Sequence, residues 1–192
     1  MDEMKRWKSM VCPGFFRRMG MRPGQKVLDF GCRRGTYTIP AAIVVGKEGM
    51  VYALDKDPEA LDSIAKEAIP MGLENIRRME TGGELYTGLG NETIDFMLLY
   101  DVIHLIGWKD GIKRSLVEER KVLYREMRRV AKPGAMLSVY PKHLKTHTDI
   151  ETVKDVKGEI MGSGFSFQRE FHDMLVHDDR FEQGRILLFR KQ

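Results

Sequence analysis

Between residues 26 and 140 the chain alternates short apolar runs with longer amphipathic ones, and no other feature restricts its fold so strongly. Val27 to Phe30 is apolar apart from Asp29, stops at Gly31 and reads as a buried strand. Thr36 to Val45 reads as a helix with Pro40 early in it, where a missing N–H costs little. Met50 to Leu54 is a second strand, ending at Asp55. Pro58 opens a helix to about Met71, with Leu61, Ile64, Ala65 and Ala68 on one face. Asn75 to Met79 is a third strand, Glu80 to Asn91 is glycine-rich and irregular, and Ile94 to Tyr100 is a fourth strand ending at Asp101. A helix over Arg114 to Ala131 carries Leu116, Leu123, Met127 and Val130 at helical spacing. Lys132-Pro133-Gly134 stops it before a fifth strand, Ala135 to Tyr140.

Alternation of this kind implies parallel strands joined by right-handed crossovers, with helices on both faces. A further helix is predicted at Asp149 to Met161, followed by strands at Ser166 to Leu175 and Arg185 to Arg190. Only the polar stretch His177 to Gly184 separates those two strands, so they are expected to pair as an antiparallel hairpin. The expected fold is therefore α/β: a Rossmann-like, doubly wound, mostly parallel seven-stranded sheet with an antiparallel C-terminal hairpin. A length of 192 residues suits one domain, with residues 1–25 as an N-terminal cover.

Composition excludes several classes. With 42% hydrophobic and 31% charged residues the chain reads as globular rather than disordered. The net charge of +4 comes from scattered pairs such as Arg17-Arg18, Arg33-Arg34, Arg77-Arg78 and Arg128-Arg129, interspersed with acids, which reads as a solvated surface. Two cysteines, Cys12 and Cys32, build neither a disulfide framework nor a four-thiolate zinc site. Charges at Asp2, Glu3, Lys5, Arg6 and Lys8 break any secretory apolar stretch, and no run is long enough for a membrane span. A cytoplasmic setting is expected.

Ligands of doubly wound sheets bind at the carboxyl ends of the strands. After the first strand stands Asp29-Phe30-Gly31-Cys32-Arg33-Arg34-Gly35-Thr36, where glycines allow a tight turn and the next helix offers free N–H groups. After the second stands Asp55, a carboxylate suited to the two hydroxyls of a ribose. After the fourth come Tyr100, Asp101, Val102, Ile103 and His104. The loop lacks the middle glycine of Gly-x-Gly-x-x-Gly, which argues against a nicotinamide enzyme.

Taken together, Val27 to Gly35, Val51 to Asp55, Ile94 to Leu99 and Val130 to Gly134 resemble the class I S-adenosylmethionine-dependent methyltransferases, within the branch holding the ubiquinone/menaquinone biosynthesis methyltransferases. The resemblance covers residues 20 to 190 and implies S-adenosylmethionine as cofactor and S-adenosylhomocysteine as product. It places Asp29, Gly31, Cys32, Arg33 and Gly35 around the methionine portion. It gives Asp55 the ribose hydroxyls, sets Lys56 beside the adenine, lines the adenine edge with Thr81 and Gly82, and sets Tyr100 beside the methyl donor. The family usually has glycine where this chain has Arg33, which either intrudes on the loop, points outward or pairs with the cofactor carboxylate. Glu80 is the alternative to Gly82 for the acid often found after the third strand.

Methyl transfer from a sulfonium needs alignment and water exclusion first, and a base only for some acceptors. Asp101 and His104 are assigned as catalytic candidates, with Tyr140 and His143 as further bases. His143 and His147, four apart, would share a helix face, but a metal site needs a third ligand and no metal is assigned. Trp7 and Phe15-Phe16, and the stretch from Gly107 to Lys121, are candidate covers. The acceptor is expected to be a small molecule. RNA or protein, or a catalytically silent cofactor-binding relative, are the alternatives, and oligomeric state is not assigned.

Overall fold

Five parallel strands form the sheet's frame: β1 (Lys26–Phe30), β2 (Met50–Asp55), β3 (Ile76–Glu80), β4 (Ile94–Tyr100) and, after the minor hairpin of β5 (Trp108–Lys109) and β6 (Ile112–Lys113), β7 (Ala131–Tyr140). The long strands β8 (Phe165–His177) and β9 (Arg180–Lys191) complete it, in the order β3-β2-β1-β4-β7-β9-β8. Neighbours from β3 to β7 pair parallel, while β9 is antiparallel to both β7 and β8. The computed structural model describes residues 2–109, 112–113, 116–144 and 152–192. The expected seven-stranded, doubly wound sheet with its antiparallel C-terminal hairpin is the fold observed.

Two-residue periodicity assigns the faces. On β4, Phe96, Leu98 and Tyr100 pack with Phe15, Phe16, Ala41 and Val45 of α2 (Cys12–Arg18) and α3 (Thr38–Val45). Met97 and Leu99 of the same strand pack with Leu123, Met127, Val156 and Ile160 of α5 (Leu116–Val130) and α6 (Val153–Gly162). Helix α4 (Pro58–Ala68) packs Leu61 and Ile64 with Ile39 of α3 and Cys32. Its start is capped by Asp57, whose Oδ1 accepts from the N–H groups of Glu59 and Ala60 at 3.0 and 3.3 Å. Between α5 and α6, the fully buried Arg120 pairs with Glu159, its Nε and Nη2 donating at 2.8 and 2.7 Å.

The N-terminal segment opens with α1 (Glu3–Arg6) and one π-helical turn, Trp7–Val11, before α2. Trp7 Nε1 donates to Met174 O at 3.0 Å and Lys8 pairs with Glu67 at 2.7 Å, so the segment bridges the hairpin and α4.

Three sequence boundaries are corrected. β7 begins at Ala131 rather than Ala135: its register on β4 jumps from Ile94↔Ala131 to Phe96↔Met136, and this bulge accommodates Pro133 inside the strand. The hairpin strands are longer than expected, because the polar stretch from His177 to Gly184 is mostly strand. Only Asp178 and Asp179, at φ 46° and 59°, turn the chain. Helix α6 starts at Val153 behind a Thr152–Asp155 capping box, and the expected start at Asp149 lies outside the described residues. His147 and part of the candidate cover from Gly107 to Lys121 also lie outside them.

Candidate active site

Strand β1 delivers the glycine loop to the carboxyl edge of the sheet. The N–H groups of Gly31 and Cys32 donate to Leu54 O at 2.8 and 3.1 Å and tie the loop to β2. Gly31 has φ 76°, and a Cβ there would lie 2.7 Å from Val102 Cγ2. Gly35 has φ 79°, and a Cβ there would lie 2.8 Å from Ile64 Cγ1. Handedness and close packing therefore both demand glycine at these two positions.

Arg33 adopts φ 47°, a left-handed conformation costing a side-chain-bearing residue on the order of 1–2 kcal/mol. Its guanidinium turns outward, Nη1 donating to Asp178 Oδ1 at 3.1 Å, with the two side chains 71% and 61% exposed. Its backbone N–H turns inward and donates to Asp55 Oδ2 at 2.7 Å. The N–H of Asp57 donates to Asp55 Oδ1 at 3.0 Å, so both oxygens of this carboxylate are oriented by backbone. Lys56 follows it, exposed.

Asp29 lies beneath the loop, buried, and accepts from Thr38 Oγ1 at 2.6 Å. Burial raises its carboxyl to about 7; the Thr38 hydrogen bond opposes that shift and the negative charge of Asp55 adds to it. Burial, with the charges of Asp29 and Asp55, likewise pushes the Cys32 thiol well up, so it is no nucleophile at neutral pH. At the end of β3, the Thr81 N–H donates to Asp55 O at 3.1 Å. Thr81 Oγ1 lies 3.0 Å from Glu84 Oε2, and a Cβ on Gly82 would meet Glu84 Oε1 at 2.7 Å. Tyr100 is the exception among the candidates. Its ring is buried 4.5 Å from that of Tyr37, and its hydroxyl lies 2.8 Å from Ser138 Oγ, within the core under the N-terminal helices.

Asp101, His104 and His143 come together, and a residue not selected from the sequence joins them. Asp101 turns off β4 at φ 54°, its N–H donating to Tyr140 O at 3.0 Å. His143 leaves β7 at φ 53°. His177 ends β8, and its Nε2 lies 3.0 Å from Asp101 Oδ2 and 3.0 Å from His143 Nε2. His104 Nδ1 lies 3.3 Å from Asp101 Oδ1. Burial raises the Asp101 carboxyl above the usual range, against the pull of His177 and His143. Tyr140 donates to Glu182, and burial together with that carboxylate pushes its phenol far up, which removes it as a base. The structure thus brings His143 to a histidine 34 residues away.

The hairpin tip is what closes the edge. Besides the Arg33–Asp178 pair, Tyr37 Oη donates to Val176 O at 2.9 Å, which brings the tip down on the glycine loop. A cleft of about 420 Å³ bordered by Ala42, Gly46, Gly49 and Asn75 opens instead near the amino end of β2, away from these groups.

Residues 21–183 match a family model described as a methyltransferase domain. The chain is 37% identical over 100 residues to an aklanonic acid methyltransferase of Streptomyces, covering 47% of this chain and 45% of that protein. It is 28% identical over 131 residues to the demethylmenaquinone methyltransferase of Geobacillus stearothermophilus, covering 68% of this chain and 49% of that one. The chain thus spans less than half the length of these two relatives. A SAM-dependent methyltransferase from Aquifex aeolicus superposes with a TM-score of 0.72 at 21% identity, over 100% of this chain and 95% of that one, which is a likeness of fold.

Proposed function

Because the chain belongs to the methyltransferase domain family, we propose that it transfers a methyl group from S-adenosylmethionine to a small-molecule acceptor and releases S-adenosylhomocysteine. The observation that carries this reading is the juxtaposition of the glycine loop with two carboxylates. Asp29 lies buried beneath the loop and Asp55 is aligned by the loop's own N–H.

These residues fit the cofactor. Gly31 and Gly35 leave no room for side chains and bring bare backbone to the strand edge. Asp29 is a buried carboxylate whose ionised form gains most from a cation, such as the cofactor's ammonium. Asp55 has two oriented oxygens for the ribose hydroxyls; Thr81 donates its N–H to Asp55 O, and Lys56, Thr81 and Gly82 are assigned to the adenine side. Arg33 directs its side chain outward, which supports a binding-competent loop over a blocked one. Cys32 and Tyr100 serve as packing beneath the site.

When bound, S-adenosylmethionine supplies a methyl group already activated by its sulfonium charge. The chain's own task is then to align the acceptor and exclude water. Asp101, with a raised carboxyl, and His104 beside it are placed to hold or take a proton from an acceptor hydroxyl. Residues 1–25 act as a cover, held by the Trp7 and Lys8 contacts. The small-molecule class follows the names of the two relatives. Buried free thiols at Cys12 and Cys32 support a reducing, cytoplasmic setting, and no helix among the described residues is long and apolar enough to cross a membrane.

Isothermal titration with S-adenosylmethionine tests the reading. Micromolar affinity, on the order of −8 kcal/mol, is expected. No heat and no thermal shift at millimolar cofactor would overturn it.

A further inference from the structure

Three of the chain's five histidines gather around a single carboxylate. Among the described residues, Asp101, His143 and His177 form the one group whose donor atoms are close enough to share an ion, all within 4.8 Å of one another. We propose that these three residues bind a divalent first-row transition metal ion of the zinc or ferrous class.

Proton accounting supports the site. His177 Nε2 lies 3.0 Å from His143 Nε2, 3.0 Å from Asp101 Oδ2 and 3.6 Å from Asp178 Oδ2. One ring nitrogen carries at most one hydrogen and one in-plane direction, so it satisfies at most one of these neighbours. Asp101 Oδ1 is buried and makes no hydrogen bond, although His104 Nδ1 and His143 Nε2 stand 3.3 and 3.9 Å away. Ligand atoms of three side chains thus converge on one region.

Geometry agrees. Donors about 2.0–2.1 Å from a tetrahedral ion stand about 3.3 Å apart; His177 Nε2 lies 3.0 Å from both His143 Nε2 and Asp101 Oδ2, and one donor atom from each of the three residues lies within 4.8 Å of the others. Two imidazoles and one carboxylate suit borderline ions such as zinc or ferrous iron and disfavour magnesium. The nearby cations do not oppose an ion, because Arg33 is paired with Asp178 at 3.1 Å and Lys142 with Glu182 at 2.7 Å. Glu182 Oε2 also lies 3.9 Å from His177 Nδ1, adding negative charge beside the ring.

The donors come from the ends of β4, β7 and β8, and His143 remains 34% exposed, so a coordination position stays open toward solvent. The ion's binding is independent of the methyl-transfer reading. Its use rests on that reading: an ion at the end of β4 lies across β1 from Asp55, on the acceptor's side of the site, where its open position would take an oxygen of the acceptor, and with Asp101 held as a ligand the proton-accepting role falls to His104 beside it.

The test uses the full chain, stripped with a chelator and free of S-adenosylmethionine. Zinc is added by isothermal titration and cobalt(II) is followed by visible absorption. One ion per chain is expected, with micromolar or tighter affinity and cobalt bands of a low-coordinate site. His143→Gln and His177→Gln should each weaken binding by about 10–100-fold. His172→Gln, exposed elsewhere on β8, should leave it unchanged. Magnesium should not compete. No saturable binding up to millimolar zinc, equal competition by magnesium, or full binding in the folded His143→Gln/His177→Gln double variant would overturn the site. The wild-type cobalt spectrum decides the matter even if a variant fails to fold. Because cofactor affinity is measured separately, loss of one reading leaves the other standing.

Discussion

The backbone N–H of Arg33 donates to Asp55 Oδ2 at 2.7 Å, so the residue that departs from the family's glycine pattern also orients the carboxylate proposed to hold the ribose. The left-handed φ of Arg33 is what turns its N–H inward while its guanidinium reaches out to Asp178. A glycine could hold the same backbone; the arginine adds a link to the hairpin tip.

Asp55→Ala should weaken cofactor binding by about 2 kcal/mol, roughly thirtyfold, because the ribose hydroxyls lose their buried acceptor. Far-UV circular dichroism should be unchanged. An unaltered affinity by isothermal titration in a folded variant would mean that the ribose partner lies elsewhere.

Arg33→Gly should change cofactor affinity less than Asp55→Ala does. For stability, relief of on the order of 1–2 kcal/mol of backbone strain is set against about 0.5–1 kcal/mol of added chain entropy and an exposed ion pair of about 0–1 kcal/mol. The melting temperature should therefore move by only a few degrees. A gain in affinity of about tenfold or more would contradict the outward placement and reveal a partly blocked loop.

Asp29→Asn should alter the pH dependence of stability. The folded carboxyl is raised to about 7 from its ordinary 3.8, so its proton is held in the fold where the unfolded chain has lost it. A raised carboxyl contributes stability at low pH that fades as pH climbs from about 4 to 7, by up to about 1.4 kcal/mol per unit. Urea denaturation at pH 5 and pH 7.5 should show the wild type losing stability relative to the asparagine variant. Parallel pH curves would mean that Asp29 titrates normally.

Glu159→Gln should destabilise the fold by about 3 kcal/mol, because Arg120 has no exposed surface and its charge would lose its bidentate partner. The loss should appear as a lower denaturation midpoint with little change in slope. A shift below about 0.5 kcal/mol would show that the pair is no more than a surface contact in effect.

How far the site could be read in advance varies with how local each part is. The position of the loop from Asp29 to Gly35 and of Asp55 at the sheet's edge was legible because they lie at or just beyond the ends of apolar runs, and a doubly wound sheet brings its strand ends to one edge. The direction of Arg33 was not, because it depends on Asp178 at a hairpin tip. His177 was missed because the turn beyond it is Asp178-Asp179, both at positive φ, without the glycine that usually marks a two-residue hairpin. The strand was therefore expected to end before reaching it.

By itself, the sequence determined the succession of parallel strands along the chain and their C-terminal hairpin. Apolar periodicity and chain terminators act over a few residues, and crossover handedness then leaves few topologies. The tertiary structure decided the rest: the burial that raises Asp29, the Arg120–Glu159 pair, and the meeting of Asp101, His143 and His177. These depend on side chains that share space without sharing a sequence neighbourhood, and no period in the chain records which strand end will face which.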